Sequence, residues 1–160
     1  MGRIRLRFGF PRPTPAEHRE HVMADPSPTN DRIIEFGGFE VVYVDGERGR
    51  PIPEQAPAAF DALEARLPTL KKKRFYGAVI DGTYRACVAA DEDTSSLDLP
   101  RWVLPPGRYA VATIADWEQH RDAIGPTVAA LRGRSDFDAT RPLIEFYRSQ
   151  SELRLLAPVR

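Results

Sequence analysis

The stretch Arg141-Pro-Leu-Ile-Glu-Phe-Tyr-Arg148 decides the fold, together with the closing run Glu152-Leu-Arg-Leu-Leu-Ala-Pro-Val159. Both runs are mostly apolar and have the length of ordinary strands. The short polar turn Ser149-Gln150-Ser151 lies between them, where the chain would have to reverse. The sequence therefore predicts two antiparallel strands that form a β-hairpin.

One acidic side chain interrupts the first strand of this hairpin. Side chains alternate along a strand, so Leu143, Glu145 and Tyr147 share one face, while Ile144 and Phe146 make the other face apolar as well. A strand with two apolar faces is covered on both sides, and a carboxylate buried there needs a partner. Two kinds of partner are open: a donor within the protein, or a ligand.

The composition indicates one soluble globular domain. The chain has 160 residues, of which 42% are hydrophobic and 29% are charged, as in ordinary folded domains. The 23 basic and 23 acidic residues balance, which argues against a nucleic-acid partner. No apolar run reaches the roughly 18 residues of a membrane span, and the N-terminus lacks a secretory signal. We therefore expect a cytoplasmic protein with no membrane association, and the single cysteine, Cys87, excludes an internal disulfide.

The first half of the chain predicts a β-α-β-β unit. Residues 32–45 form a long strand, and apolar residues at helical spacing predict a helix over 53–67. A hairpin follows at 75–80 and 84–90, joined by Asp81-Gly82, which is a preferred pair for a tight turn.

The second half predicts the same order of elements. A strand at 108–114 precedes a helix in which Asp116 is the expected N-cap and Gln119 completes a capping box. Gly125-Pro126 is expected to kink or split this helix, and Gly133 is a natural C-cap. The closing hairpin completes this second β-α-β-β unit.

The two units superpose at an offset of 68 residues, so that 74–90 falls on 142–158 and Gly77 corresponds to Glu145. We therefore predict an α+β fold in which tandem pseudo-symmetric repeats form one curved antiparallel sheet. Two helices are expected on one face of the sheet and a ligand groove on the other. A carboxylate from one unit and a bare backbone from the other would leave room for a ligand there.

We divide the chain into an N-terminal strand with a Pro-rich arm at 1–31 and a domain at 32–160. The domain consists of repeat one at 32–90, a connector at 91–104 and repeat two at 105–160. Within the arm, residues 3–10 alternate between arginine and apolar side chains, which predicts an edge strand. This strand pairs either with its own sheet or with another subunit, so a homodimer remains open.

Six short motifs follow one another along the chain. They are Phe75-Tyr76-Gly77, Tyr84-Arg-Ala-Cys-Val88, Leu104-Pro-Pro-Gly-Arg-Tyr-Ala110, Pro142-Leu-Ile-Glu-Phe-Tyr147, Glu152-Leu-Arg-Leu155 and Pro158-Val159. In this order they resemble the GyrI-like small-molecule-binding domain over roughly residues 32–159. That family is built from tandem SHS2 repeats and includes the effector-binding domains of multidrug-sensing regulators of the MerR and AraC types. Such regulators carry a DNA-binding helical domain upstream, for which residues 1–31 are too short and too proline-rich.

The resemblance implies an aromatic pocket with a buried glutamate on the first strand of the last hairpin, which is Glu145 here. Flat aromatic rings stack on planar ligands and attract cations, and the candidate wall residues are Tyr43, Tyr76, Tyr84, Trp102, Tyr109 and Tyr147. Each ring also fits an ordinary core, and the carboxylate also fits an ion pair with Arg85, Arg108 or Arg154. No metal site and no cofactor is expected.

Three functions are consistent with this reading. In the leading hypothesis, a stand-alone GyrI-like protein binds a hydrophobic, aromatic or cationic small molecule, for sequestration or sensing of a drug or toxin. In the second, the protein is a hydrolase of cyclopropane-containing DNA-alkylating natural products, with Glu145 positioning or activating water. In the third, it inhibits DNA gyrase by protein interaction, although the neutral net charge shows no DNA mimicry.

Overall fold

The structure, a computed structural model, describes residues 32–160. The strands are β1 (Arg32–Phe36), β2 (Phe39–Asp45), β3 (Phe75–Ile80), β4 (Thr83–Ala89), β5 (Arg101–Leu104), β6 (Gly107–Ala115), β7 (Ile144–Tyr147) and β8 (Glu152–Val159). The helices are α1 (Ile52–Arg66), α2 (Glu92–Ser95) and α3 (Ile124–Arg132), with a short 3-10 helix at Arg121–Ala123 before α3. The strand predicted at 3–10 and the arm at 1–31 lie outside the described residues.

The eight strands form one curved antiparallel sheet in the order β1-β6-β8-β7-β3-β4-β2-β5. Together with the three helices, this sheet confirms the predicted α+β class. No helix within residues 32–160 has both the length and the apolar character needed to cross a membrane.

The pairing at the centre of the sheet follows the predicted internal repeat. There β3 pairs with β7, and Gly77 lies directly opposite Glu145. Two residues that correspond at the 68-residue offset therefore face each other across a pseudo-twofold axis. Because β3-β4 and β7-β8 are both hairpins, the second hairpin repeats the first on the other side of this axis.

The long strand predicted at 32–45 is two strands that lie in opposite halves of the sheet. The chain leaves the strand path at Gly37-Gly38, where Gly38 has a φ of 73°, a conformation that glycine adopts without steric cost. β1 then pairs with β6, whereas β2 pairs with β4 and β5. The apolar alternation changes phase at the glycines, with Ile34 and Phe36 before them and Phe39 and Val41 after them, which is consistent with two separate strands.

The segment 91–104, expected to be a connector, contains both α2 and β5. Asp91 caps α2: its carboxylate accepts a hydrogen bond from the Thr94 backbone N–H at 3.1 Å, and its own N–H donates to Thr94 Oγ1 at 2.8 Å. β5 then pairs with β2 of the first unit, just as β1 pairs with β6 of the second. β1, from the start of the first unit, is therefore the edge strand beside the second unit, and β5, from the connector, is the edge strand beside the first unit.

The predicted start of the second long helix is wrong. Asp116 has a φ of 50° and lies in a turn, so it does not cap a helix, and α3 begins at Ile124. Pro126 lies in the first turn of α3, where its missing N–H removes no helical hydrogen bond. Gly125-Pro126 therefore begins the helix instead of kinking it. Gly133 ends the helix as predicted, and its N–H donates to the Ala129 carbonyl at 3.0 Å.

Both faces of the sheet carry a buried apolar layer. On one face, α1 and α3 pack against strand residues such as Val88 and Leu155, with Phe60 of α1 and Leu131 of α3 in the same cluster. The other face carries a separate cluster, built from Val41, Tyr76, Cys87, Tyr109, Ile144 and Leu156 among others. The central hairpin is thus covered on both sides, as its two apolar faces predict.

Candidate ligand-binding pocket

A cavity of about 570 Å³ lies between α1, α3 and the central strands. Its floor consists of sheet residues and the residue that precedes β7: Ala78, Val79, Tyr84, Leu143, Glu145 and Tyr147. Its walls are mostly apolar helix residues: Ile52, Pro53, Ala56 and Pro57 from α1, and Ile124, Gly125, Val128 and Ala129 from α3. A concave, largely apolar cavity of this size is typical of small-molecule sites.

Glu145 lies on the floor of this cavity and accepts two hydrogen bonds from tyrosines. The Tyr84 hydroxyl donates to Glu145 Oε1 at 2.5 Å, and the Tyr147 hydroxyl donates to the same oxygen at 2.8 Å. The two hydroxyl oxygens are 3.4 Å apart. Glu145, Tyr84 and Tyr147 therefore form one hydrogen-bonded group, which we call the carboxyl–tyrosine cluster.

The alternative of an arginine partner for this carboxylate is wrong. Arg85 binds the carboxylate of Asp45 at 2.8 Å, and Arg154 binds that of Glu152 at 2.8 Å. Arg108 lies nearest to Glu35, at 3.9 Å. Two phenols thus donate to the half-buried acid of the central hairpin, and no ion pair joins it to any arginine in residues 32–160.

Burial sets the protonation of the cluster. Loss of hydration raises the pKa of Glu145, while the hydrogen bonds from the two tyrosines and the positive charge of Arg132 oppose this rise. Burial, followed by the charge of Glu145, raises the pKa of Tyr84 and of Tyr147 well above the usual value. Both phenols therefore stay protonated and act as donors. The carboxyl group is a strong acceptor in an apolar setting, suited to a cation, an N–H donor or a proton.

The raised pKa of Glu145 predicts that the wild type becomes more stable, relative to Glu145→Gln, as the pH falls from about 7 to the unfolded pKa of glutamate, about 4.3. A carboxyl group with a higher pKa in the folded state binds its proton more tightly when folded. Its stabilising contribution is full below the unfolded pKa and is lost as the pH rises through the folded pKa. Urea unfolding of both proteins across this window checks the prediction.

The window avoids the acid range in which other carboxylates respond. Hydrogen bonds from Thr140 and Arg141 lower the pKa of Asp138 to about 2. That carboxylate stabilises the fold above its unfolded pKa and loses the effect only as the pH falls toward 2. A stability difference between wild type and Glu145→Gln that stays constant from about pH 7 to about pH 4.3 would contradict the assigned shift.

Gly77 makes room for the carboxyl–tyrosine cluster. A β-carbon at this position would collide with the Tyr84 hydroxyl and would lie 2.8 Å from Glu145 Oε1. The bare backbone was expected to leave space for a ligand, and that expectation is wrong, because the Tyr84 hydroxyl fills the space. A glycine opposite the acid is needed for the cluster itself.

Aromatic packing holds the two phenol rings in place. Phe60 of α1 lies against both of them, with ring centroids 5.8 Å from Tyr84 and 5.4 Å from Tyr147. The buried Trp117 meets Tyr147 edge-on at 5.1 Å, and its indole N–H donates to the Ser149 carbonyl at 3.1 Å. Rings fixed from several sides keep the two hydroxyls aimed at the carboxylate.

Gln55 fastens α1 to the first hairpin beside the pocket. Its side chain is buried, and its amide nitrogen donates to the carbonyls of Arg50 at 2.7 Å and Gly82 at 3.1 Å. Its amide oxygen accepts a hydrogen bond from the Tyr84 backbone N–H at 2.9 Å. The helix wall and one phenol of the cluster are thus positioned by the same side chain.

The structure brings together three of the predicted site residues, namely Glu145, Tyr84 and Tyr147. The other four lie on the opposite face of the sheet: Tyr43, Tyr76, Trp102 and Tyr109. The groove was expected on the face without helices, but the pocket that holds Glu145 lies on the helix-covered face. Alternation shows which residues share a face, but when both faces are apolar it does not show which one receives the helices.

The four remaining aromatic residues have protein partners on their own face. Tyr76 stacks on Phe146 with ring centroids 4.7 Å apart. The Arg85 guanidinium lies 3.8 Å from the Tyr43 ring centroid and 5.2 Å from that of Trp102. The Tyr109 hydroxyl donates to the Pro105 carbonyl at 2.6 Å. These contacts correspond to the alternative in which such rings belong to the core.

The sequence reading missed the polar residues on the α3 side of the pocket. Trp117, Arg121 and Arg132 all line it. A signal was available, because positions 121, 125, 128 and 132 recur at helical spacing and all four face the cavity. The expected helix was numbered from Asp116 and was thought to break at residue 125, so this stripe was not recognised.

Comparison with known proteins gives a likeness of fold. No protein-family model matches the chain, and no curated protein matches it. An integron cassette protein from the mobile metagenome of Vibrio cholerae is 16% identical, with a TM-score of 0.65 over 84% of this chain and 98% of its own. The chain shares its fold. At 16% identity, the match shows a shared fold and says nothing about function.

Two further solved structures have the same curved sheet. One is a protein bound to tetraphenylphosphonium, which is 13% identical with a TM-score of 0.56 over 81% of this chain and 93% of its own. The other is a Staphylococcus aureus protein named for transcription regulation, 12% identical with a TM-score of 0.51 over 81% of this chain and 97% of its own. The fold thus occurs in a protein that binds an aromatic cation.

Proposed function

We propose that this protein is a GyrI-like protein that binds a hydrophobic aromatic small molecule between α1 and α3, to sequester or sense a drug-like compound. The observation that carries the proposal is the carboxyl–tyrosine cluster on the floor of an apolar cavity. The apolar walls take the aromatic body of the ligand, and the Glu145 carboxyl accepts from a cationic or N–H group.

Two independent observations support this function. The fold neighbour solved with tetraphenylphosphonium binds an aromatic cation. The sequence motifs resemble those of the GyrI-like family, and Glu145 stands where that family has its buried glutamate. In this proposal Tyr84 and Tyr147 orient the carboxyl group and also offer their ring edges to the ligand.

Filling the pocket from α3 tests the proposal. Ala129 lines the pocket, whereas its neighbour Ala130 does not, and both are exposed, so tryptophan at either position leaves the core intact. Ala129→Trp is expected to weaken binding of the fluorescent aromatic amine N-phenylnaphthylamine by about tenfold or more, since the ring loses its apolar burial. Ala130→Trp is the matched control and is expected to bind as the wild type does. Fluorescence titrations in which the two variants behave alike would contradict this site.

The same cluster also favours a second function, hydrolysis of cyclopropane-containing DNA-alkylating natural products. A carboxyl group with a raised pKa beside two protonated phenols is an acid–base set, in which Glu145 would activate water. Mass spectrometry of such a compound after incubation separates the two functions. A ring-opened product that is formed by the wild type but not by Glu145→Gln indicates turnover. If the compound is unchanged after incubation with the wild type, the protein binds it without hydrolysing it.

A further inference from the structure

The pocket contains more positive than negative side chains. Among its described lining residues, Glu145 carries the acidic side chain, and Arg121 and Arg132 carry positively charged side chains. Arg121 belongs to the 3-10 helix before α3, and Arg132 is the last residue of α3. Eleven residues correspond to about three helical turns, so both arginines lie on the same side of this helical segment.

Arg132 lies at the rim of the pocket. It is exposed, as are the lining residues Pro53, Gly125 and Ala129, whereas the floor residues are buried or half-buried. Its charge nevertheless reaches the floor, because it lowers the pKa of Glu145. Within residues 32–160 no carboxylate forms an ion pair with Arg132. Its guanidinium donors are thus available at the entrance of the cavity.

Arg121 lies deeper in the same wall. It is partly buried, and its guanidinium carbon lies 5.5 Å from the ring centroid of the buried Trp117. A cation over an indole ring is held in place by the ring quadrupole. The charge of Arg121 also reaches the Tyr147 hydroxyl, whose pKa it lowers. The α3 side therefore presents positive charge at two depths, and the sheet presents one carboxyl group.

We propose that the pocket selects aromatic molecules that carry an anionic oxygen group, held by Arg132 at the entrance, together with an N–H group that donates to Glu145. The proposal rests on the proposed function of the pocket and specifies its ligand class. Arginine binds carboxylate, sulfonate and phosphate groups through two parallel N–H bonds. A lipophilic cation without an acid group meets the positive charge of Arg132 at the entrance and offers it no partner, so it binds less tightly than an amphoteric ligand of the same size.

The test compares two probes that share one ring system and one anilino N–H. The first is the isomer of anilinonaphthalene sulfonate with its sulfonate at the far end of the rings from the anilino group, and the second is the N-phenylnaphthylamine that lacks the sulfonate. The wild type is expected to bind the sulfonate about tenfold more tightly, because charge-assisted hydrogen bonds are stronger than neutral ones. Arg132→Gln is expected to remove most of this preference and to change the affinity for the neutral probe by less than about twofold.

Arg101→Gln is the matched control. It removes one positive charge from β5, at the edge of the sheet and outside the pocket, and is expected to retain the preference for the sulfonate. Because Arg132 is exposed, the test variant is expected to fold, which circular dichroism checks. Equal binding of the two probes by the wild type, or a preference that survives in Arg132→Gln, would overturn the charge assignment alone. Failure of both probes to bind would overturn the proposed function as well.

Discussion

Replacing Gly77 by alanine is expected to lower the free energy of unfolding by about 3 kcal/mol, from overpacking and a broken hydrogen bond together. The new β-carbon would collide with the Tyr84 hydroxyl and lie 2.7 Å from Cζ of the same ring. That ring is 1% exposed and packs against Phe60, so it cannot move away from the new β-carbon without losing this packing. The hydrogen bond from Tyr84 to Glu145 would break, and the pocket floor would lose its shape.

Urea unfolding measures this loss, with Gly37→Ala as the control. A β-carbon at Gly37 meets nothing within 4 Å, so its effect is expected to stay within about 0.5 kcal/mol. Ligand binding by Gly77→Ala, measured below its unfolding midpoint, is expected to fall with the stability. If the two alanine variants are equally stable, then the Tyr84 ring is mobile and the cluster is not a rigid site.

Glu145→Gln is expected to weaken binding of an aromatic N–H donor by about tenfold to a hundredfold, which is the range for one charge-assisted hydrogen bond. The amide oxygen still accepts from Tyr84 and Tyr147, but the amide nitrogen presents a donor where the ligand needs an acceptor. Stability is expected to change by less than about 1 kcal/mol, because the weaker hydrogen bonds are offset by removal of a buried charge.

Two variants distinguish the role of Glu145 as the acceptor for the ligand from the general effect of removing a negative charge or changing the shape of the pocket floor. Glu35→Gln removes a carboxylate from the exposed edge strand β1 and is expected to bind as the wild type does. Tyr147→Phe removes one of the two donors to Glu145 and is expected to bind more weakly than wild type but more tightly than Glu145→Gln. Equal affinities for Glu145→Gln and Glu35→Gln would exclude Glu145 as the anchor.

The two hairpins and their equivalence could be predicted from local sequence patterns. The tight turn at Asp81-Gly82, where φ is 50° and 77°, follows from the residue types alone. The 68-residue offset placed Glu145 and Gly77 at equivalent positions, and these two residues are partners in the sheet. Because strand alternation is strict, the grouping of Glu145 with Tyr147 on one face is also correct.

Properties that depend on packing between distant elements could not be predicted. The face that receives the helices is set by how α1 and α3 dock. When both faces of a sheet are apolar, the sequence does not show which of them the helices cover. The crossing of β1 to the far half of the sheet likewise depends on β6, which lies about seventy residues later. Asp116 and Gln119 have the spacing of a capping box, but the turn that they form ends before α3 begins.

Several expectations remain predictions. Whether the chain divides into an arm and a domain at residue 32 is one of them, and a homodimer through the arm and a cytoplasmic location are two others. Inhibition of DNA gyrase is a fourth, and a supercoiling assay with and without the protein tests it.

A crystal structure of the protein with the anilinonaphthalene sulfonate probe tests the central claim most directly. We expect density between α1 and α3, with the anilino nitrogen within hydrogen-bonding distance of the Glu145 carboxyl group. Density on the opposite face, beside the stacked Tyr76 and Phe146, with none between the helices, would contradict it.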